Sequence, residues 1–164
     1  MCPATVGGAL GVTSENGVPM SVRTPAGKLV TAFGNPAGMS RLYSPDVQWS
    51  LSASLTQFPR PIDGKKAVVA FNESIWRDVY RPDCATEILD EVGDDESSAV
   101  RFIYRATFVR SGTPYENEYS LFARSGSDGI FAVFEGLDTA ALLDAMTGQP
   151  VGSSFRSTRT LTDD

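Results

Sequence analysis

Glu135 interrupts an otherwise apolar run, Ile130-Phe131-Ala132-Val133-Phe134-Glu135-Gly136-Leu137. A carboxylate drawn into apolar surroundings loses its hydration. Its pKa then rises, and it can give or take a proton near neutral pH. Register decides whether Glu135 points that way, because both faces of this strand are apolar. A four-residue hairpin loop sets it beside Ser120 on a wet face, where an arginine such as Arg105 would pair with it. A one-residue bulge near Gly129 sets it beside Tyr119 on the inner face. Asn117 and Tyr119 lie on the expected inner face of the preceding strand. They offer an amide and a hydroxyl that could orient a carbonyl or hydroxyl of a ligand. Trp49, Tyr104 and Leu121 read as cavity walls, and Phe71, Ile75, Trp76 and Val79 as core.

Other chemistries are excluded or disfavoured. The sequence contains no histidine, which removes Ser–His and Cys–His nucleophilic mechanisms and most zinc sites. Asp94-Asp95-Glu96 reads as a solvated acidic turn, and no metal is expected there. No glycine-rich phosphate loop is present, so no nucleotide is expected, and no cofactor is implied.

The elements that must position Glu135 run from Ser98 to Asp138. Val100, Phe102, Tyr104, Ala106 and Phe108 alternate with Arg101, Ile103, Arg105 and Thr107, the period of a strand with one buried face. Ser111-Gly112-Thr113-Pro114 is a turn, and Tyr115–Ser125 is the returning strand. A four-residue loop predicts Phe108–Asn117, Ala106–Tyr119, Tyr104–Leu121 and Phe102–Ala123 as inner pairs, with Arg101 opposite Arg124 outside. Gly126-Ser127-Asp128-Gly129 turns the chain into the strand of Glu135. Asp138 then caps a helix over Thr139–Met146, closed by Gly148.

Upstream, Thr24-Pro25 opens a helix carrying Leu29, Val30 and Phe33. A short helix over Ala37–Tyr43 follows, then a turn at Ser44-Pro45-Asp46 and a strand over residues 47–54. Asp63-Gly64 starts a helix with Val68, Phe71, Ile75 and Val79 at helical spacing; Pro82 stops it. Cys84–Val92 is a further strand. Residues 1–22 read as a mobile arm, 23–148 as one domain and 149–164 as a loose polar tail.

This order is that of an α+β cone-shaped barrel, a curved and mostly antiparallel sheet wrapped around helices. The segment GTPYENEYSLFARSGSDGIFAVFEGLDTAALLDAM resembles the last two strands and closing helix of the SnoaL-like branch of the nuclear transport factor-like superfamily. GNPAGMSRLYSPDVQW resembles its second helix, turn and first strand, and IDGKKAVVAFNESIW its long helix. The resemblance covers roughly residues 24–147 and implies a deep apolar pocket for a small hydrophobic molecule. It also implies an inward Glu135, since related phenazine-biosynthesis proteins use a Glu here as an acid/base, and dimers formed through the sheet, here by Ile103 and Phe122. The ketosteroid isomerase branch uses a tyrosine and two acids where this chain has Gly27, Leu51 and Leu121, so that mechanism is not expected. The Asp-Arg-Asp set of limonene epoxide hydrolase has no clear counterpart.

The chain of 164 residues carries 14 basic and 20 acidic residues, for a net charge of −6. That balance opposes binding to nucleic acid or anionic membrane. No apolar run approaches a membrane span, and the N-terminus lacks the pattern of a signal peptide. Cys2 and Cys84 make a poor disulfide framework, so a reducing cytoplasm is the expectation. Two functions remain. One is a cofactor-free isomerase, cyclase or dehydratase acting on a hydrophobic carbonyl compound, with Glu135 moving the proton, Asn117 and Tyr119 holding the oxygen, and Trp49, Tyr104 and Leu121 shaping the cavity. The other is a non-catalytic ligand-binding or homodimer-forming module on the same fold.

Overall fold

The computed structural model describes residues 24–147. The expected arm, the tail and the Gly148 cap lie outside the described residues. Thr24 caps α1 (Pro25–Thr31) through its hydroxyl, which accepts from the Gly27 amide, and proline fills the first turn. Asn35 caps the short α2 (Pro36–Ser40) in the same way, by accepting from the Gly38 amide. Then follow β1 (Tyr43–Leu51), a two-residue β2 (Ile62–Asp63) and α3 (Lys65–Ser74). A π-helical turn over Ile75–Val79 continues α3. Strands β3 (Ala85–Gly93), β4 (Ser97–Thr107), β5 (Pro114–Gly126) and β6 (Gly129–Leu137) come next, and α4 (Thr139–Thr147) closes the described chain. Asp138 caps α4 as expected, its carboxylate accepting from the amides of Ala140 and Ala141.

The six strands form one sheet in the order β2-β1-β6-β5-β4-β3. Only β1 and β6 run parallel; the other neighbours are antiparallel. The inner face carries the core, including Trp49, Val100, Phe102, Tyr104, Tyr119 and Leu121, all buried. Irregularities in register bend the sheet around the helices. One of them is the segment Ser44–Val47, of which Ser44-Pro45-Asp46 reads as a turn in sequence. It is instead a wide bulge inside β1, between the pairs Tyr43–Ile130 and Gln48–Ala132.

The hairpin of β4 and β5 differs from the expected register. The observed pairs are Ala106–Tyr115, Tyr104–Asn117, Phe102–Tyr119 and Val100–Leu121, four residues away from those expected. The loop is longer than four residues, because Phe108 leaves the ladder to bridge Tyr80 and is tied to Thr113 and Gly112 across the turn. A shift of four is even, so every side chain keeps its face. The outer face supplies the reason for the observed register. Arg105 lies opposite Glu116 and binds both Glu116 and Glu87, while Arg101 binds Asp90 and Glu118. The expected register would instead have set Arg101 against Arg124, a repulsive cross-strand pair.

Cys84 is buried and disulfide-bonded, contrary to the expectation of reduced thiols. Disulfides persist in oxidising compartments, so cysteine count no longer supports a cytoplasmic assignment. Among the described residues, no helix is long and apolar enough to cross a membrane.

Gly129 starts β6 with φ at +113°, and a Cβ there would come within 2.6 Å of the Leu42 carbonyl oxygen. Gly129→Ala should therefore lower stability by roughly 2–3 kcal/mol. The check is a lower urea midpoint with an unchanged denaturant slope; an unaltered midpoint would refute the strain at this corner.

Candidate active site

Register delivers Glu135 to the cavity. Gly126 pairs with Gly129 and Ser125 with Ile130, but Arg124 pairs with Ala132. Phe131 is therefore an extra residue on β6, a one-residue bulge just beyond the hairpin. It turns Glu135 inward, opposite Leu121 on β5 and Leu51 on β1. Of the two registers open in the sequence, the bulged one is observed; the partner is Leu121 rather than Tyr119.

The cavity lies between the inner face of the sheet and the helices. It offers about 80 Å³ to the centres of water-sized molecules, within roughly 690 Å³ of non-atom space that includes its mouth. A single water needs on the order of 10–15 Å³ by that measure, so the site has room for a small organic molecule. Trp49, Tyr104, Tyr119 and Glu135 line it from the strands. The helical wall comes from α3 and its π-helical turn, and Leu142 and Met146 of α4 close one side.

Glu135 accepts a hydrogen bond from the Trp49 indole, Nε1 to Oε2 at 2.9 Å. Burial among apolar walls raises its pKa from 4.5 to about 7, and the Trp49 hydrogen bond opposes that rise without cancelling it. No arginine or lysine lines the cavity, and Arg105, the outer-face partner considered above, is taken up by Glu87 and Glu116. The carboxyl is thus divided between its two protonation states near neutral pH, the condition for moving protons both ways.

Tyr80, Tyr104 and Tyr119 line the cavity with this acid, and Tyr115 contacts Tyr80 and Tyr119. Tyr104 accepts from the Trp76 indole at 3.0 Å. The hydroxyls of Tyr115 and Tyr119 lie 2.9 Å apart, and Tyr80 stacks on Tyr115. Burial raises the pKa of each, that of Tyr115 to about 12. All four are neutral hydrogen-bonding groups at physiological pH.

Among the residues singled out in the sequence, Trp49, Tyr104, Tyr119 and Glu135 meet in the cavity. Asn117 and Leu121 do not line it. The Asn117 amide donates to the Tyr115 hydroxyl and to the Asp138 carbonyl, both at 2.8 Å. Asn117 thus ties β5 to the start of α4 and is a positioning residue. Leu121 is fully buried beneath Glu135. Phe71, Ile75, Trp76 and Val79, expected as core, are partly buried against the core and also form cavity wall. The π-helical turn accounts for part of this, since its wider spacing departs from the uniform helical stripe assumed in the sequence. Asn72 also lines the cavity and escaped notice. The available signal was its place four residues after Val68, on the buried stripe of α3.

Two further positions clarify what the site lacks. A Cβ on Gly27 would fall 2.5 Å from the Glu91 carboxylate, which also receives the Thr24 amide. A tyrosine at that position would require the Glu91 side chain to move away from Thr24. The acidic turn is capped from within: Asp94 accepts from the amides of Glu96 and Ser97, and those hydrogen bonds lower its pKa.

The SnoaL-like domain family matches residues 30–134, and the chain belongs to that family. No curated protein sequence matches the chain. Solved structures with the same fold include an NTF2-like protein of unknown function from Burkholderia pseudomallei, 17% identical, with a TM-score of 0.65 over 75% of this chain and 95% of that one. A provisionally named SnoaL-like polyketide cyclase from Jannaschia is 13% identical, with a TM-score of 0.62 over 77% and 93%. A provisionally named isomerase from Rhodopseudomonas palustris is 19% identical, with a TM-score of 0.61 over 74% and 92%. These likenesses establish the nuclear transport factor-like α+β cone.

The raised pKa of Glu135 has a consequence for stability. As pH climbs past the unfolded value of about 4.5, the unfolded chain releases this proton while the folded protein holds it until about 7. The contribution of Glu135 therefore falls across that window and stays low above it. Replacing the acid removes the dependence. Glu135→Gln should gain on the wild type between about pH 4 and pH 8 by at most on the order of 3 kcal/mol, less where the cavity admits water. Urea midpoints of both proteins at the two pH values measure the difference, and a constant difference would mean that the acid is well hydrated.

Proposed function

We propose that the protein is a cofactor-free acid–base enzyme of the isomerase, cyclase or dehydratase kind. Its substrate would be a hydrophobic, carbonyl-bearing metabolite of polyketide or terpenoid type. The observation that carries this reading is Glu135, whose carboxyl lies in an apolar cavity with the Trp49 indole as its hydrogen-bond partner and a pKa of about 7.

In the proposed reaction, ionised Glu135 removes a proton from the carbon beside the substrate carbonyl. Trp49 holds the carboxylate in orientation. Charge develops on the carbonyl oxygen, and Tyr104 is suited to meet it. Its hydroxyl accepts from Trp76, which leaves the phenolic proton for the substrate oxygen. Tyr119 lines the same cavity as a second hydroxyl. Protonated Glu135 then returns the proton to another carbon, completing an isomerisation, or to a departing hydroxyl, completing a dehydration. The apolar walls keep water from quenching the enolate. The names of the Jannaschia and Rhodopseudomonas proteins agree with this class of chemistry.

Deuterium exchange into β-tetralone, a hydrophobic enolisable ketone, tests the reading by NMR. Glu135→Gln should slow exchange by at least about 100-fold while leaving quenching of tryptophan fluorescence by β-tetralone unchanged. The wild-type rate should rise with pH through a midpoint near the Glu135 pKa of about 7. Wild-type exchange no faster than that of the variant would reject catalysis by Glu135.

A second feature favours self-association, with or without catalysis. Phe122 and Phe134 stand 52% and 45% exposed on the outer face, with ring centroids 6.2 Å apart. Adjacent exposed aromatics on a sheet mark a surface suited to burial. We propose that a second copy of the chain covers them. Phe122→Glu should then convert a dimer to a monomer in sedimentation velocity, and a monomeric wild type would dispose of the idea.

A further inference from the structure

One polar group in the cavity has no part in the proton transfer described above. Asn72 lies on α3, is 1% exposed and lines the cavity. Its Nδ2 donates to the Tyr43 hydroxyl at 2.7 Å. Its Oδ1 has no hydrogen-bond partner and is covered by neighbouring side chains, so a bound molecule reaches it by displacing them. A buried carbonyl oxygen without a partner is destabilising, and native proteins seldom keep one without a use. Leucine here, with phenylalanine in place of Tyr43, would fill the same space without that cost. The site is also connected to Glu135. The Tyr43 ring packs edge-on against Trp49, centroids 6.2 Å apart, and Trp49 holds the Glu135 carboxylate. Glu135 on β6 and Asn72 on α3 are thus joined through the edge-on rings of Tyr43 and Trp49 on β1.

We propose that Asn72 is the specificity-determining residue of this cavity, its free amide oxygen accepting a hydrogen bond from a hydroxyl on the bound molecule. The substrate class narrows accordingly, from hydrophobic carbonyl compounds to those that also carry a phenol, enol or alcohol hydroxyl away from the reacting carbon. The inference rests on the cavity being a small-molecule site and does not require Glu135 to be catalytic. A ligand that supplies this hydrogen satisfies the amide; one that lacks it leaves the oxygen bare. That asymmetry is how a polar pocket group rejects the analogue without its partner.

Binding of phenol, toluene and benzaldehyde to the full chain separates the outcomes, because the three rings differ chiefly in donating a hydrogen, offering nothing, or only accepting. Calorimetric or NMR titration should show phenol preferred to toluene by about tenfold. Asn72→Leu should erase that preference by weakening phenol while leaving toluene within about twofold. This variant strands the Tyr43 hydroxyl, so Asn72→Leu combined with Tyr43→Phe removes both partners and should give the same loss in a well-folded protein. Glu135→Leu should keep the preference for phenol. The proposal is overturned if the preference survives in the Asn72 variants, or if it vanishes in Glu135→Leu instead. A preference for benzaldehyde that Asn72→Leu removes would also overturn it, since the amide would then be presenting its NH₂ group. Absence of β-tetralone exchange with the phenol preference intact would remove the catalytic reading and leave this one standing.

Discussion

Desolvation of one carboxyl group is the constraint on which the rest depends. Glu135 enters an apolar cavity with a single neutral donor, the Trp49 indole, as its hydrogen-bond partner. An ion pair would have held it permanently charged, and a drier site would have held it permanently neutral. The fold supplies an intermediate condition: enough burial to lift the pKa to about 7, with one hydrogen bond to keep the anion accessible. The tyrosines nearby extend that condition. Burial makes them poor acids, so they donate hydrogen bonds without competing for the proton that Glu135 carries.

The outer face of the sheet is arranged in the opposite way. Arg101 and Arg105 each contact two acids drawn from β3 and β5, in water, where such pairs contribute little to stability. Their effect is on alignment. They favour one register of β3, β4 and β5, and that register sets Tyr104 beside Asn117 and Phe102 beside Tyr119 on the inner face. Charges that touch no substrate therefore decide which aromatic residues share the cavity. Their segregation outside also leaves the inner acid without a cation.

Much of this was legible in the sequence, because alternation and capping are local. The strands around Phe102 and Tyr119 follow from period-two patterning, and Thr24 and Asp138 mark helix starts by side-chain chemistry alone. The face of Glu135 was not decidable in that way. It turns on one extra residue, Phe131, in a strand whose two faces are equally greasy. The register of β4 and β5 was recoverable in principle, since opposing Arg101 to Arg124 is unfavourable, but alternation cannot distinguish registers that differ by an even number. Asn117 was read as a ligand group because it faces inward; inward-facing and cavity-lining are different properties, and its amide is committed to Tyr115 and Asp138. The helical stripe from Val68 to Val79 hid a change of pitch, and with it the difference between core and wall.

The missing isomerase residues do not make the cavity inert. A scaffold of this kind fixes the shape of a cup and leaves the position of its polar groups free. Here a side chain at Gly27 would have to displace the Glu91 carboxylate from beside the first helix, where it holds the amide and hydroxyl of Thr24. Leu51 and Leu121, the positions where the resemblance to the ketosteroid isomerase branch would place acids, are the residues that flank Glu135 in the sheet. Placing an acid at either position would set a second carboxylate against the first and push one of them to stay protonated at neutral pH. Leucines on both sides leave a single acid, desolvated by its own neighbours. Among the described residues, Glu135 is thus the one acid lining the cavity, on the strand between the two that carry these leucines.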